Sequence, residues 1–364
     1  MRRSISSGAT LLAGALALGM IATGCAGSPA PATTDAGGTN AGDGCYEGTA
    51  LGDTMAEYYD AAVESGKSSV TVYGPGAVNW EPLVENFNQC FPDITVNLVH
   101  LVGSEVITRL QAEASSGQRA GDLLFGTINN GVFLPEFDDW FEPFAPVGAE
   151  ELVHHDEDLW YVPYAGLFGY SYNTASVPED EVPRTYEDLL DERWKGKIAS
   201  NNLTAANAGT QTMVLAYLDG RIDDEWMTNY GEQDLRTLPD GAAIGQALVT
   251  GEADIAEYPM SLLQANKADG APVDFIPELS LLAYIPVGLL KDAPNPDAAK
   301  LLSSWLMTDQ AQADFALQGQ YGLMPGAPHP EGLTDENHVI NEVADTQETL
   351  DAWKHVLGFW SAKQ

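Results

Sequence analysis

Three cysteines carry the clearest chemistry in this chain of 364 residues. Cys25 follows Ala22-Thr23-Gly24 at the end of the apolar stretch 9–22, which Arg2 and Arg3 precede. A basic leader, an apolar run and small residues at the cleavage position describe an export signal. The cysteine directly after those small residues is the expected attachment point of lipid (palmitate), so residues 1–24 are expected to be removed. The run is too short, and too rich in Gly and Ala, for a transmembrane anchor. Lipid on Cys25 would leave Cys45 and Cys90, an even pair in an oxidising compartment, and they are expected to form a disulfide. The expected location is the extracytoplasmic face of the cell membrane, reached through that lipid.

Other residue types suggest binding. Ser104 follows Gly103 and opens a helical pattern, where a hydroxyl and free backbone N–H groups suit an anion or a carbonyl. A plain N-cap serves the same residue equally well. Gly74-Pro75-Gly76 makes a tight turn after a strand and would bring backbone close to a ligand, with Tyr73 bordering it. Thr127, Asn129 and Asn130 follow another strand at the same end of the sheet. The run His154-His155-Asp156-Glu157-Asp158 reads as a solvated loop, because adjacent histidines on an extended chain point to opposite sides. No zinc-protease or nucleophile-elbow motif occurs, the six histidines form no catalytic pattern, and no cofactor is implied.

Charge narrows the partners. Sixteen basic residues face 53 acidic ones, a net charge of −37. With no basic stripe to release counterions, nucleic-acid binding is excluded, and so is direct adhesion to an anionic bilayer. The acids are scattered, which favours a role in solubility or in a salty habitat over a single cation site.

These side chains need elements to position them. Residues 26–44 are rich in Ala, Gly, Thr and Pro, cannot bury enough surface to offset their ordering entropy, and read as a flexible tether. The stretch from Cys45 to the last residue is long enough for two lobes. Residues 69–73 alternate with Val70 and Val72 on one face, predicting a strand. Trp80, Leu83, Val84 and Phe87 then recur at helical spacing. Ile94, Val96 and Leu98 alternate; Val106, Ile107, Leu110 and Ala114 return to the helical period; 122–125 reads as a buried strand. Such alternation predicts a parallel sheet covered on both faces, with ligands at the carboxyl ends of its strands. Further on, 167–172 reads as one strand and 185–191 as the start of a helix. Ile244, Ala247 and Leu248 lie on a helix that Gly251 stops, and 253–256 is strand-like. Asn295-Pro296 predicts a cap and first turn for a helix bearing Ala298, Leu301, Leu302, Trp305 and Leu306. A last helix is expected around 350–360.

In order, these segments resemble the type II periplasmic solute-binding proteins of ABC transporters, in the branch of the ferric-iron-binding proteins. The resemblance rests on Val72-Tyr73-Gly74, Gly103-Ser104, Gly121-Asp122-Leu123-Leu124-Phe125 and Tyr172-Asn173-Thr174 with Val177-Pro178. It continues through Tyr186-Glu187-Asp188-Leu189-Leu190, Trp194-Lys195-Gly196-Lys197-Ile198, Gly251-Glu252-Ala253-Asp254 and the 295–306 helix. Each motif is weak alone; their order is specific and covers the chain from about Ser69 onward.

The resemblance implies an α/β, two-lobe fold with a central mixed sheet in each lobe and a hinge between them. It places lobe 1 at 45–167 and 282–325, and lobe 2 at 168–281 and 326–364. It implies a monomeric, non-enzymatic lipoprotein that captures a small molecule or ion in the interlobe cleft and hands it to an ABC permease and ATPase. It also points to Asn201, Asn202 and Thr210 as ligand-binding turns and helix starts, to Glu257 and Tyr258 after the 253–256 strand, and to Tyr164 near the first crossover. Ferric binders of this branch carry tandem tyrosines after the strand matching 253–256, and commonly a histidine near the first strand end. This chain has Tyr258-Pro259-Met260 there and no histidine between Tyr73 and Trp80, which favours an organic solute such as a phosphonate, sugar phosphate, thiamine or polyamine over bare iron. An iron importer's binding protein stays as one alternative; a secreted enzyme or sensor module reusing the fold is the other.

Overall fold

The computed structural model describes residues 45–46, 48–75, 80–101, 104–126, 133, 135–153, 157–333, 339–340 and 346–363. Cys25 and the tether, Gly76, Gly103, Thr127, Asn129, Asn130 and the 154–156 part of the histidine run lie outside the described residues, as does the side chain of Ser104.

The chain first forms α1 (Ala50–Glu64), a helix that the sequence pattern does not assign; Thr49 caps it by accepting from Gly52 N. Strands β1 (Ser69–Gly74), β2 (Thr95–His100) and β3 (Leu123–Phe125) come next, separated by α2 (Glu81–Cys90) and α3 (Ser104–Ser116). Both β2 and β3 run parallel to β1, β1 lying between them. Val70 and Val72 are fully buried, as their alternation requires. Cys45 and Cys90 are joined by a disulfide that ties the chain before α1 to the end of α2.

The stretch read as one strand over 167–172 is two. Strand β4 (Tyr161–Phe168) belongs to the first sheet and β5 (Tyr170–Asn173) to the second, with Gly169 between them. A Cβ at 169 would lie 2.5 Å from the carbonyl oxygen of Leu279, so only glycine lets the two crossings of the chain lie side by side. The expected helix from 185 is instead two 3-10 turns, Glu187–Leu190 and Glu192–Trp194. The Asp188 carboxylate accepts from the backbone N of Arg184 and Thr185, which holds the chain in a tight turn rather than a helix start.

The second sheet is built from β5, β6 (Ile198–Ser200), β7 (Arg236–Thr237), β8 (Ile255–Glu257) and β9 (Val273–Phe275), in the order β7-β6-β8-β5-β9. Helices α4 (Ala208–Leu218), α5 (Asp224–Gly231), α6 (Gly241–Thr250) and α7 (Met260–Ala268) connect these strands. Gly251 ends α6 with a φ of 74°, the left-handed conformation that stops a helix.

The chain then returns along β10 (Leu281–Leu289), antiparallel to both β3 and β4. The first sheet is therefore mixed, not purely parallel: β11-β4-β10-β3-β1-β2, with β11 (Gln320–Gly322) at its edge and β12 (Val339–Ile340) beside β10. Helices α8 (Pro296–Trp305), α9 (Asp309–Leu317) and α10 (Thr346–Ser361) complete the fold. Asn295 does not cap α8 with its side chain. Its backbone N and amide turn to Asp122, at 2.7 Å and 3.3 Å, while the same carboxylate accepts from Thr71 N at 2.8 Å. This fully buried aspartate thus ties the start of α8 to β1.

Ala298, Leu301, Leu302 and Trp305 of α8 are buried against the first sheet, with Val72, Phe87 and Phe315 in the same cluster. A second cluster fills the space around α4, α5 and α10. A third joins Ala165, Leu167 and Leu282 of the crossing strands to Ile244, Leu248 and Leu263 of α6 and α7. Among the described residues no helix is long and apolar enough to cross a membrane.

Candidate ligand-binding site

The carboxyl ends of β1 and β3, and of β6 and β8, are where open α/β sheets leave backbone groups and helix starts for a ligand. At Gly169 the chain passes from β4 of the first sheet to β5 of the second. Tyr258, just past β8, donates its backbone N–H to Gly169 O at 3.0 Å. The start of α7 also meets the turn before β11: a Cβ on Gly319 would lie 2.9 Å from Met260 O.

On the first sheet, the expected contacts turn inward. The phenol of Tyr73 donates to Glu113 Oε1 at 2.6 Å, and Arg109 Nε donates to the same oxygen at 2.6 Å. Burial, helped by the Glu113 carboxylate, pushes this phenol up to about 12. Its ring occupies space that a side chain at Gly121 would fill, a Cβ there lying 2.4 Å from it. Gly74 serves packing too, since a Cβ would lie 2.5 Å from the ring of Phe125. Tyr164 is buried, stacked on Phe315 with centroids 4.2 Å apart and edge-on to Trp80, which stacks on Phe125 at 4.4 Å. Burial raises the Tyr164 phenol well above its ordinary range.

On the second sheet, neighbouring residues of one strand part company. Tyr258 packs between α6 and α7, where its hydroxyl accepts from Asn266 Nδ2 at 3.1 Å and a Cβ on Gly245 would lie 2.4 Å from that oxygen. Glu257 points to the opposite face. There it is fully buried: Oε1 accepts from Tyr170 at 3.0 Å and Tyr230 at 3.4 Å, and Oε2 is bonded to the Ser200 hydroxyl. A Cβ on Gly209, in the first turn of α4, would lie 2.7 Å from that Oε2, so α4 rests directly on the carboxyl. Burial pushes the Glu257 carboxyl up to about 7 against the opposing hydrogen bonds of Ser200, Tyr170 and Tyr230.

Thr210 is fully buried one residue further along. Its hydroxyl donates to Ala205 O at 2.6 Å, and its backbone N–H is capped by Asn207 Oδ1 at 3.0 Å. The start of α4 is therefore served by its own chain. Asn201 and Asn202, after β6, line a groove of about 490 Å³ together with Thr204, Thr228, Trp360 and Lys363. Asn201 is largely buried and donates to Leu238 O at 3.4 Å, whereas Asn202 is exposed and organises Thr204 and Asn207 around itself.

The structure thus gathers Asn201, Thr210 and Glu257 around the start of α4, and sets Tyr73, Tyr164 and Tyr258 into separate packing sites. It adds Ser200, Tyr170 and Tyr230, which no sequence pattern singles out. Tyr170 carried a signal, since it follows the glycine at which the strand breaks; Tyr230 carried none. Among the described residues no group of three or more His, Cys, Asp or Glu is arranged to hold a metal ion.

Against known proteins, the family described as bacterial extracellular solute-binding protein matches residues 73–313. Iron uptake protein A2 of Synechocystis is 29% identical over 268 residues, covering 64% of this chain and 73% of that protein. A putative 2-aminoethylphosphonate-binding periplasmic protein of Salmonella typhimurium is 24% identical over 283 residues, covering 72% and 77%. The solved periplasmic binding protein AfuA of Actinobacillus pleuropneumoniae, with fructose-6-phosphate bound, superposes with a TM-score of 0.62 at 16% identity, over 81% of this chain and 98% of that one. That last likeness concerns the fold.

Proposed function

Since the chain belongs to the bacterial extracellular solute-binding protein family, we propose that it captures one small solute between its two lobes and delivers it to an ABC importer. The observation that carries this reading is the family match across 73–313, which spans the strand ends of both sheets and both crossings between them. Binding that differs between open and closed arrangements of such lobes is enough to signal loading, and no bond needs to be made or broken. Lipid on Cys25 would keep the protein at the extracytoplasmic face of the membrane, beside its permease.

Small organic solutes fit the described residues better than a bare ferric ion. A ferric site of phenolates needs phenols free to ionise. Here the phenols of Tyr73 and Tyr258 are bonded within their own lobes, and burial raises both. One relative is named for a phosphonate and one fold neighbour holds a sugar phosphate. The iron reading is favoured by the 29%-identical iron uptake protein and would draw on oxygen donors other than these two phenols.

A thermal-shift panel of ferric citrate, 2-aminoethylphosphonate, sugar phosphates, thiamine and polyamines tests the proposal. A solute at about 100 times its Kd stabilises the folded state by about 2.7 kcal/mol through mass action. One class is expected to raise the midpoint without turnover. No shift across the whole panel would count against solute capture, and turnover would favour the enzyme alternative.

A further inference from the structure

Glu257 is a buried carboxyl for which solute capture alone has no use. Every group bonded to it is a hydroxyl: Tyr170 on β5, Tyr230 on α5 and Ser200 on β6. On the α4 side Gly209 lies against Oε2. Tyr186, just before the Glu187–Leu190 turn, is the next titratable group to feel the carboxyl, and it also feels Arg221 and Asp219. Among the described residues no cation bonds to Glu257, and the bonds that favour its ionised form come from three hydroxyls.

Ser200 has one proton and two acceptors. Its Oγ bonds to Glu257 Oε2 and also lies 3.1 Å from Asn201 O. With the carboxyl ionised, the hydroxyl proton must face Oε2, an acceptor with no proton of its own. With the carboxyl protonated on Oε2, the acid donates to Ser200 Oγ, and the hydroxyl proton turns to Asn201 O. The carboxyl and the Ser200 hydroxyl are bonded in both arrangements, and what changes between them is the bond to Asn201 O, made only when the carboxyl is protonated. The Tyr170 and Tyr230 bonds to Oε1 are the same in both.

We propose that Glu257 is a proton-binding site whose occupancy is relayed by Ser200 to the Asn201-Asn202 turn, giving that side of the solute site two hydrogen-bonding states. Burial places the carboxyl's titration at about pH 7, within the range an exported protein meets. The consequence is proton-linked capture: a solute that grips the 201–204 turn in one state binds or releases a proton as it binds. The inference rests on the transport reading for its consequence alone; the relay is tested with no solute, so either can fail without the other.

The test is a series of amide ¹H–¹⁵N spectra of the protein between about pH 5.5 and 8.5. In the wild type, the amides of Asn201, Asn202 and Thr204 are expected to shift together with a midpoint near 7. Glu257→Gln should abolish that transition and hold the amides near their low-pH positions, because its amide donates to Ser200 as the protonated acid does. Ser200→Ala should abolish the transition at these amides while the protonated-carboxyl infrared band of Glu257 still titrates; this arm decides the matter if the glutamine variant does not fold. A turn that shows no transition in the wild type, or one that persists in either variant, overturns the relay.

Discussion

Removing the ionisable group at Glu257 should flatten one component of the protein's pH–stability profile. In the unfolded chain this carboxyl titrates at its ordinary value of 4.5; in the folded protein burial raises it to about 7. Between those values the folded state holds a proton that the unfolded state has lost, so stability falls as pH rises. This is the reverse of a salt-bridged carboxylate, which gains stability over the same change. For a fully buried group shifted from 4.5 to about 7, the loss between pH 5 and pH 8 is on the order of 2–3 kcal/mol. Glu257→Gln keeps the acceptor for Tyr170 and Tyr230 and a donor for Ser200 but cannot ionise. Urea unfolding of wild type and variant at matched pH values cancels the other carboxyls in the difference. The wild type should lose on the order of 2–3 kcal/mol relative to the variant across that range. Parallel profiles, or a wild type that gains on the variant as pH rises, would refute the assignment of a raised carboxyl at this position.

Reducing the Cys45–Cys90 bond, which closes a separation of 45 residues, should lower stability by about 4 kcal/mol through the freed unfolded chain; urea midpoints with and without reductant measure it. Gly209→Ala would drive a methyl to within 2.7 Å of Glu257 Oε2 and 3.0 Å of Ser200 Oγ, and should cost about 1–3 kcal/mol by displacing α4. Tyr73→Phe removes one donor from Glu113 but leaves Arg109 and the backbone N of Ala120 in place, so a loss of about 1 kcal/mol is expected. Calorimetry should find the affinity for any solute identified by the thermal-shift panel unchanged by that substitution. Weakened binding at full stability would place the phenol in the site after all.

Elements governed by local pattern were legible in the chain itself. The Val70 and Val72 alternation, the helical recurrence of Leu83 and Phe87, and the stop at Gly251 all arise from period and glycine chemistry within a few residues. What escaped depends on distant partners. The break at Gly169 is enforced by Leu279, far along the chain in a different segment of backbone, and the lost side-chain cap at Asn295 by Asp122 at the start of β3, distant in sequence but beside it in space. Helix α1 went unassigned although Leu51, Met55, Tyr58 and Ala62 recur at helical spacing; they pack in one core with α8, Met55 and Ala62 fully buried. The candidate site divides in the same way. That Glu257 and Tyr258 lie at a strand end was readable, whereas which face each occupies depends on the register of β8 against β5 and on the helices on either side of the sheet. The Tyr73–Glu113–Arg109 cluster needed only one more step, because Arg109 and Glu113 are an i,i+4 pair on the helix that packs over β1.

Native mass spectrometry gives the decisive test of solute capture. Protein stripped of small molecules by unfolding and refolding is incubated with the candidate solutes, and the mass retained per chain is counted. One solute of a single chemical class should be held per chain and recovered unchanged. A chain that retains none of them, or returns the solute as a reaction product, would contradict it.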